Sequence, residues 1–314
     1  MCASLSKKDV QQAAMPAWDL IDLDGYTGDF SGYYNPKNLD FNMTPPIFTS
    51  RSCPFTCSFC SAHLIMGRKY EKKTPIQVVD EMEYLYAERG MRYFAFMDDV
   101  INISVKHVVG LCDEITRRNM NIHISINQGL YIALVEKEMV DALAAVGLAT
   151  VSLPIEHGDE NIRMSVLNKR LKDEQIHKVV GWIKPHDIFT VGLYIMGFPE
   201  ETRETLNKCV KMMEDLQLDI NATSSLIPFP RTDVHTQAVR DGLLLIDTDE
   251  VWDGKEYFDP GEKRGGFFIQ PYNLSMDVLA EYRKIFNDMY FFSERAKNMN
   301  APSSLVSTGE TVAS

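Results

Sequence analysis

From residue 44 onward, short apolar runs alternate with longer stretches whose apolar residues recur every three to four positions. The short runs suit buried strands and the longer period suits helices lying over them, so the alternation predicts parallel β/α units. The first strand is expected over 46–50. The helix after it opens at Thr74-Pro75: Thr74 caps, Pro75 takes the first helical position and Gln77 completes a capping box. Val78, Val79, Met82, Leu85 and Tyr86 form its apolar stripe, and Gly90 ends it. Further strands are predicted over 93–97, 122–126, 150–155, 190–196 and 220–227, with helices over 105–118, 136–146, 176–183 and 206–216 between them. Such a series falls short of the eight units of a closed barrel. The expected fold is therefore α/β, a partial (β/α)6 TIM-like barrel of parallel strands with a small C-terminal extension.

Four regions follow. Residues 1–43 are an irregular lead-in, with a short docking element at Ala17-Trp18-Asp19-Leu20-Ile21; 44–235 are the barrel core; 236–296 are a substrate-proximal extension ending in a helix capped by Ser275; 297–314 are a small, polar tail expected to be disordered. A hydrophobic content of 45% in 314 residues excludes disorder of the whole chain. The formal net charge of -12 repels phosphate backbones and argues against a nucleic-acid platform. Six cysteines are too sparse for a disulfide scaffold. No apolar run reaches the ~20 residues of a membrane span, and the first residues lack a secretory h-region. The expectation is a cytoplasmic protein with reduced thiols and no membrane partner.

The candidate chemistry sits in Ser52-Cys53-Pro54-Phe55-Thr56-Cys57-Ser58-Phe59-Cys60, a C-x3-C-x2-C spacing that arises by chance roughly 0.002 times in a chain with this cysteine content. Three thiolates on a tight loop suit a cubane cluster with one iron left open. Zinc is the competing metal. A structural zinc site takes four ligands, and His63 is the nearest candidate to complete a Cys3His set. That alternative implies a non-enzymatic zinc-binding module. Cys2, Cys112 and Cys209 are too scattered to suggest a second cluster.

The cysteine motif, with an aromatic residue before its last Cys, resembles the signature of the radical S-adenosylmethionine superfamily, and the likeness extends over about residues 16–241. The resemblance implies that Cys53, Cys57 and Cys60 hold a [4Fe–4S] cluster whose free iron is chelated by S-adenosylmethionine. It further implies that reductive cleavage of that cofactor starts hydrogen abstraction from a small-molecule substrate, with electrons from a donor such as flavodoxin or ferredoxin. By the same likeness Phe59 lies beside the adenine. Where the family often has Gly-Gly-Glu, this chain has Asp98-Asp99, two carboxylates placed to accept bonds from the methionine ammonium. Pro154-Ile155-Glu156-His157-Gly158 resembles a segment whose glutamate touches the cofactor. Alternation against Val151, Leu153 and Ile155 turns Glu156 into the barrel mouth, with a structural salt bridge as the alternative role. The run from Gly192 through Gly197 to Thr202 resembles the fifth-strand glycine motif, where glycine lets the backbone approach adenine. His123, Ser125 and Asn127 are placed to line the cavity, and Asn221, Thr223 and Ser225 to meet the substrate, which is expected to enter beside 240–272.

Within the superfamily, the Pro16-Ala17-Trp18-Asp19 lead-in, the Asp98-Asp99 pair and the Glu156 segment look like the branch that usually carries an N-terminal cobalamin-binding domain. That branch includes methyltransferases and the anaerobic porphyrin-ring cyclase. The stretch ahead of Trp18 is too short for such a domain. The D-x-H-x-x-G cobalamin motif is also missing, since Asp233-Val234-His235 is followed by Ala238 in place of the glycine and reads as loop. The expectation is no cobalamin on this chain, either because the sequence is a truncated form or because it works without cobalamin, leaving methyl transfer dependent on cobalamin from a separate chain as the alternative.

Overall fold

The computed structural model describes residues 7–22, 46–245 and 266–297. The expectations for most of the lead-in, for much of the acidic segment within 240–272 and for the terminal tail lie outside the described residues.

In chain order the elements are α1 (Lys7–Gln12), β1 (Pro46–Ile47), β2 (Ser50–Arg51), α2 (Ala62–Ile65), β3 (Glu71–Lys72), α3 (Pro75–Glu88), β4 (Tyr93–Phe96), α4 (Val105–Arg117), β5 (His123–Ile126), α5 (Lys137–Ala145), β6 (Leu148–Glu156), α6 (Asp173–Ile183), β7 (Phe189–Met196), α7 (Arg203–Leu216), β8 (Ile220–Ser225), α8 (Asp233–Arg240), α9 (Met276–Asp288) and α10 (Glu294–Lys297). Six strands form one sheet in the order β1-β4-β5-β6-β7-β8, every pair parallel. This is the partial (β/α)6 barrel. The first predicted strand is broken: β1 pairs with β4, whereas β2 leaves the sheet to pair antiparallel with β3.

Local chemistry explains the helices. Thr74 Oγ1 accepts from the Gln77 N–H at 3.2 Å and Gln77 Oε1 accepts from the Thr74 N–H at 2.9 Å, closing the capping box ahead of α3. Ser104, Thr202, Thr232 and Ser275 cap α4, α7, α8 and α9. Helix α8 corrects the loop expected at Asp233-Val234-His235: Thr232 caps it, and Val234 and Ala238 bury one face at helical spacing.

The core lies between the sheet and its helices. Phe94 and Phe96 of β4, Ile124 and Ile126 of β5, and Val151, Leu153 and Ile155 of β6 pack outward against the buried stripes of α3 to α7. On the inner face Phe189, Val191 and Ile220 meet Tyr290, Phe291 and Ala296, which close the lower end of the lumen. Asp219 secures that closure. Its carboxylate takes Arg295 Nε at 2.5 Å, Ser293 Oγ at 2.6 Å and the Thr190 N–H at 2.8 Å. Trp18 docks the lead-in, its Nε1 donating to Glu81 of α3 at 3.2 Å while Arg89 reaches back to the Trp18 carbonyl.

Candidate active site

The β2–β3 ribbon brackets the cysteine loop, and contacts from three sides hold it. From below, the Asp98 carboxylate accepts the Thr49 N–H (3.1 Å) and hydroxyl (2.9 Å) and both the N–H and the hydroxyl of Ser50 (2.5 Å each). Asp99 Oδ2 accepts the Ser52 N–H at 3.0 Å, where Ser52 turns the chain with a φ of 76°. From the side, the Ser58 N–H donates to the Leu167 carbonyl at 3.0 Å, and the Val234 N–H of α8 donates to the Ser58 carbonyl at 3.1 Å. From the far wall, Tyr131 stacks on Phe55 with ring centres 3.9 Å apart.

Cys53, Cys57 and Cys60 are free and half-buried. The Cys60 N–H donates to the Cys57 carbonyl at 3.1 Å, and Cys60 Sγ accepts the Ala62 N–H at 3.4 Å. Burial pushes all three thiols up, Cys57 to about 12. Lys169 opposes that rise at each of them, and the cysteines repel one another's charge. A bound iron centre reverses this balance, because a cation in the pocket makes the thiolate the stable form. Among the described residues no group of three or more His, Cys, Asp or Glu side chains is gathered closely enough for a single metal ion. Three cysteine sulfurs are the donor type that an iron–sulfur cluster takes.

The other residues separate into those at the loop and those spent inside the chain. Asp98 is 1% exposed, and its Oδ1 accepts from Thr49 and Ser50. Asp99 stays half-buried beside the loop and borders a hollow of about 270 Å³ with Phe48, Ser50, Arg51 and Met66. Phe59 meets Phe198 edge-on at 6.1 Å, which brings it to the Gly197 turn, where φ is 101°. Glu156 adopts a φ of 69° at an irregularity in β6, and its Oε1 accepts from Lys169 Nζ at 2.7 Å. The salt bridge read as its alternative role is present, and the buried lysine links Glu156 to the cysteine loop.

A Cβ on Gly192 would lie 2.8 Å from Leu218 Cδ1 and 2.9 Å from the Tyr194 ring, so Gly192 makes room for outward packing. One expectation of facing is overturned, on β8. Asn221 Nδ2 donates to the Met289 carbonyl at 3.1 Å, and Ser225 Oγ is engaged by Arg283 and the Gly266 carbonyl. The row Asn221, Thr223, Ser225 thus faces the C-terminal layer, and the lumen row of β8 is Ile220, Ala222, Ser224.

Sequence reasoning missed Lys169, His157, Glu201 and Arg163. Glu201, fully buried, accepts the Gly197 N–H at 2.9 Å, and its other oxygen lies 3.6 Å from His157 Nε2. Burial alone would lower the His157 imidazole, but Cys209 and Glu201 outweigh it and hold it up at about 10. Arg163, also fully buried, donates to the carbonyls of His157 and Leu171 and pairs with Asp173, bracing the loop that carries Lys169. The signals available were two acids, Glu200 and Glu201, just ahead of the α7 cap Thr202, and a glycine, Gly158, whose added Cβ would fall 2.4 Å from Cys209 Cα.

An open parallel (β/α) barrel, with a loop of three cysteines following its first strand, defines a class of barrel enzymes. The Radical SAM superfamily matches residues 47–213, and the chain belongs to it. It is 26% identical over 238 residues to an uncharacterized methyltransferase of Pyrococcus horikoshii, covering 76% of this chain and 49% of that protein. It is 29% identical over 242 residues to an anaerobic magnesium-protoporphyrin IX monomethyl ester cyclase of Rubrivivax gelatinosus, covering 77% and 40%. The chain thus spans less than half the length of these curated relatives. Among solved structures it resembles a radical S-adenosylmethionine methyltransferase of Kitasatospora setae with cobalamin and a [4Fe–4S] cluster bound, at a TM-score of 0.58 and 25% identity over 63% of this chain and 39% of that one.

Proposed function

We propose that the protein is a radical S-adenosylmethionine enzyme in which Cys53, Cys57 and Cys60 hold a [4Fe–4S] cluster that acts with S-adenosylmethionine on a small-molecule substrate. The observation that carries this reading is the anchored loop of three half-buried thiols at the barrel mouth. When bound, the cluster and cofactor supply one-electron cleavage of an S–C bond and the hydrogen abstraction that follows. The chain's own residues bind and orient. Asp99 is placed to receive an ammonium, Glu156 a ribose diol or ammonium, and Phe59 with the Gly197 turn an adenine face. Lys169 holds Glu156 aimed through its hydrogen bond. The Asp233-Val234-His235 string lies in α8 with Val234 buried, so this reading gives it no cobalamin. The setting we assign is the cytoplasm, where thiols such as these stay reduced. No helix among the described residues is long and apolar enough to cross a membrane.

Anaerobic reconstitution with iron and sulfide tests the proposal. The expected result is about four irons per chain, a brown protein, and 5′-deoxyadenosine released on reduction with S-adenosylmethionine. Replacing all three cysteines with alanine is expected to abolish each. Iron and cofactor cleavage that survive the triple substitution end the reading. Methyl transfer is the second reading, favoured by the likeness to the Kitasatospora setae methyltransferase. It predicts S-adenosylhomocysteine among the products once cobalamin is supplied.

A further inference from the structure

We propose that Arg283 of α9 anchors a carboxylate group of the substrate, an inference that rests on the function proposed above and narrows the class of molecule it acts on. Ser225 ends β8, so its surroundings lie at the C-terminal rim of the barrel, the end where such folds bind their ligands. There Arg283 Nη2 donates to Ser225 Oγ and, at 3.3 Å, to the Gly266 carbonyl. The guanidinium carbon stands 4.3 Å from the centre of the Phe267 ring. Phe267 Cδ1 in turn lies 3.4 Å from where a Cβ on Gly197 would be. One aromatic ring therefore separates this cation from the turn assigned to the adenine.

The cation lacks a counter-charge. The sealed cations elsewhere are answered by acids, Arg163 by Asp173 and Lys169 by Glu156 at 2.7 Å. Arg283 is half-buried, and among the described residues its partners are a hydroxyl and a carbonyl, both neutral. Burial, with no acid to oppose it, pulls the guanidinium below its usual pKa range. Its Nε is sealed and has no acceptor among the described residues, and Thr223 Oγ1, two positions before Ser225 on the same row of β8, is sealed without a partner as well. Nη1 is neither sealed nor bonded to a described residue, so it is the end that a ligand meets. A buried charge left alone is costly to a fold, and orphaned donors mark a place where an acceptor belongs. Gly266, at a φ of 78°, keeps space open, since a Cβ there would stand 3.5 Å from Arg283 Cζ.

Charge selects the ligand. A single guanidinium beside hydroxyls balances one negative charge, and the formal net charge of -12 on the chain opposes a second. A carboxylate fits that count and a phosphate dianion does not.

The test follows thermal denaturation of the reconstituted full chain in sodium acetate, sodium benzoate or sodium phosphate, with ionic strength held constant by chloride. Acetate and benzoate are expected to raise the melting temperature saturably by about 2–4 °C, and phosphate by less. Arg283→Gln, which keeps a donor for Ser225, is expected to melt within about 2 °C of wild type without carboxylate and to lose the response. Titration calorimetry with benzoate is expected to show at least about a tenfold loss of affinity in the same variant. No carboxylate response in wild type overturns the proposal, as does an equal response in Arg283→Gln or a phosphate shift as large as that of acetate. If Arg283→Gln melts about ten degrees lower and wild type ignores carboxylates, the chain itself answers the cation and the proposal is wrong. Wild-type protein that holds no iron strikes the reading beneath, whereas iron-loaded protein blind to carboxylates strikes this inference alone.

Discussion

Lys169 Nζ donates to Glu156 Oε1 at 2.7 Å, and both side chains are nearly sealed from water. The pair joins the irregular end of β6 to the loop that also receives the Ser58 N–H. The two replacements of Glu156 separate cofactor binding from support of the lysine. Glu156→Gln keeps an acceptor for Lys169 and removes the charge. Its melting temperature is expected to move by a few degrees, while S-adenosylmethionine binds about tenfold more weakly, ~1.4 kcal/mol. Glu156→Ala leaves a buried cation alone and is expected to cost about 3 kcal/mol in stability. Anaerobic equilibrium dialysis and thermal denaturation give the two numbers. Unaltered cofactor affinity in Glu156→Gln reduces Glu156 to a partner for Lys169.

The two neighbouring aspartates are expected to fail differently. Asp98→Ala strands the N–H groups of Thr49 and Ser50 in a buried position, with a loss of about 3 kcal/mol and poorer iron retention after reconstitution. Asp99→Ala removes one bond, to Ser52, so its iron content is expected to match wild type while cofactor affinity falls. Denaturant titration and iron analysis on the pair decide this. Matching phenotypes contradict such a division of labour.

Asp219 sets an acid limb on stability. Burial alone raises its pKa, but Arg295, Ser293 and Thr190 outweigh burial and hold the carboxyl below its ordinary value. Because the folded-state pKa is the lower one, the unfolded chain binds the extra proton in the interval between the two values. The contribution is complete above about pH 4, the unfolded value, and is lost as pH falls through the folded value. Asp219→Asn is expected to cost about 2 kcal/mol at neutral pH, discounted for the half-exposed Arg295, and to show a shallower loss as pH falls below about 4. Urea midpoints across that range measure it.

Gly158 packs so tightly on α7 that an added Cβ would sit 2.4 Å from both Cys209 Cα and the Lys208 carbonyl. Gly158→Ala is expected to destabilise by about 2–3 kcal/mol through displacement of backbone. Gly181→Ala, with nothing within 4 Å of the new methyl group, is expected to be stabilising or neutral. Calorimetry on both variants tests the contrast.

The strands and helices were legible because each carries its own period, and Thr74 with Gln77 marked a helix start that the structure reproduces bond for bond. Helix α8 was obscured by the partial cobalamin string it contains, although Thr232 and the spacing of Val234 and Ala238 were signal enough. The facing of β8 was not legible: a parallel strand covered on both sides has no solvent face to break the tie, so Asn221 and Ala222 were equivalent candidates until α9 was placed. The cysteine loop announced itself by spacing, whereas Lys169 did not. It lies in a loop without periodicity, and its role exists only through contacts with residues 13 and 15 positions upstream.

The cysteine loop is tied down at both flanks and along one edge by bonds that involve no sulfur. Its shape is settled as the chain folds, ahead of any metal. Assembly of the inorganic centre then resembles filling a mould more than collapsing a floppy peptide around a nucleus. The metal-free protein is accordingly expected to keep its compactness and protease resistance, so that loss of a bound centre would leave an intact vessel ready for repair.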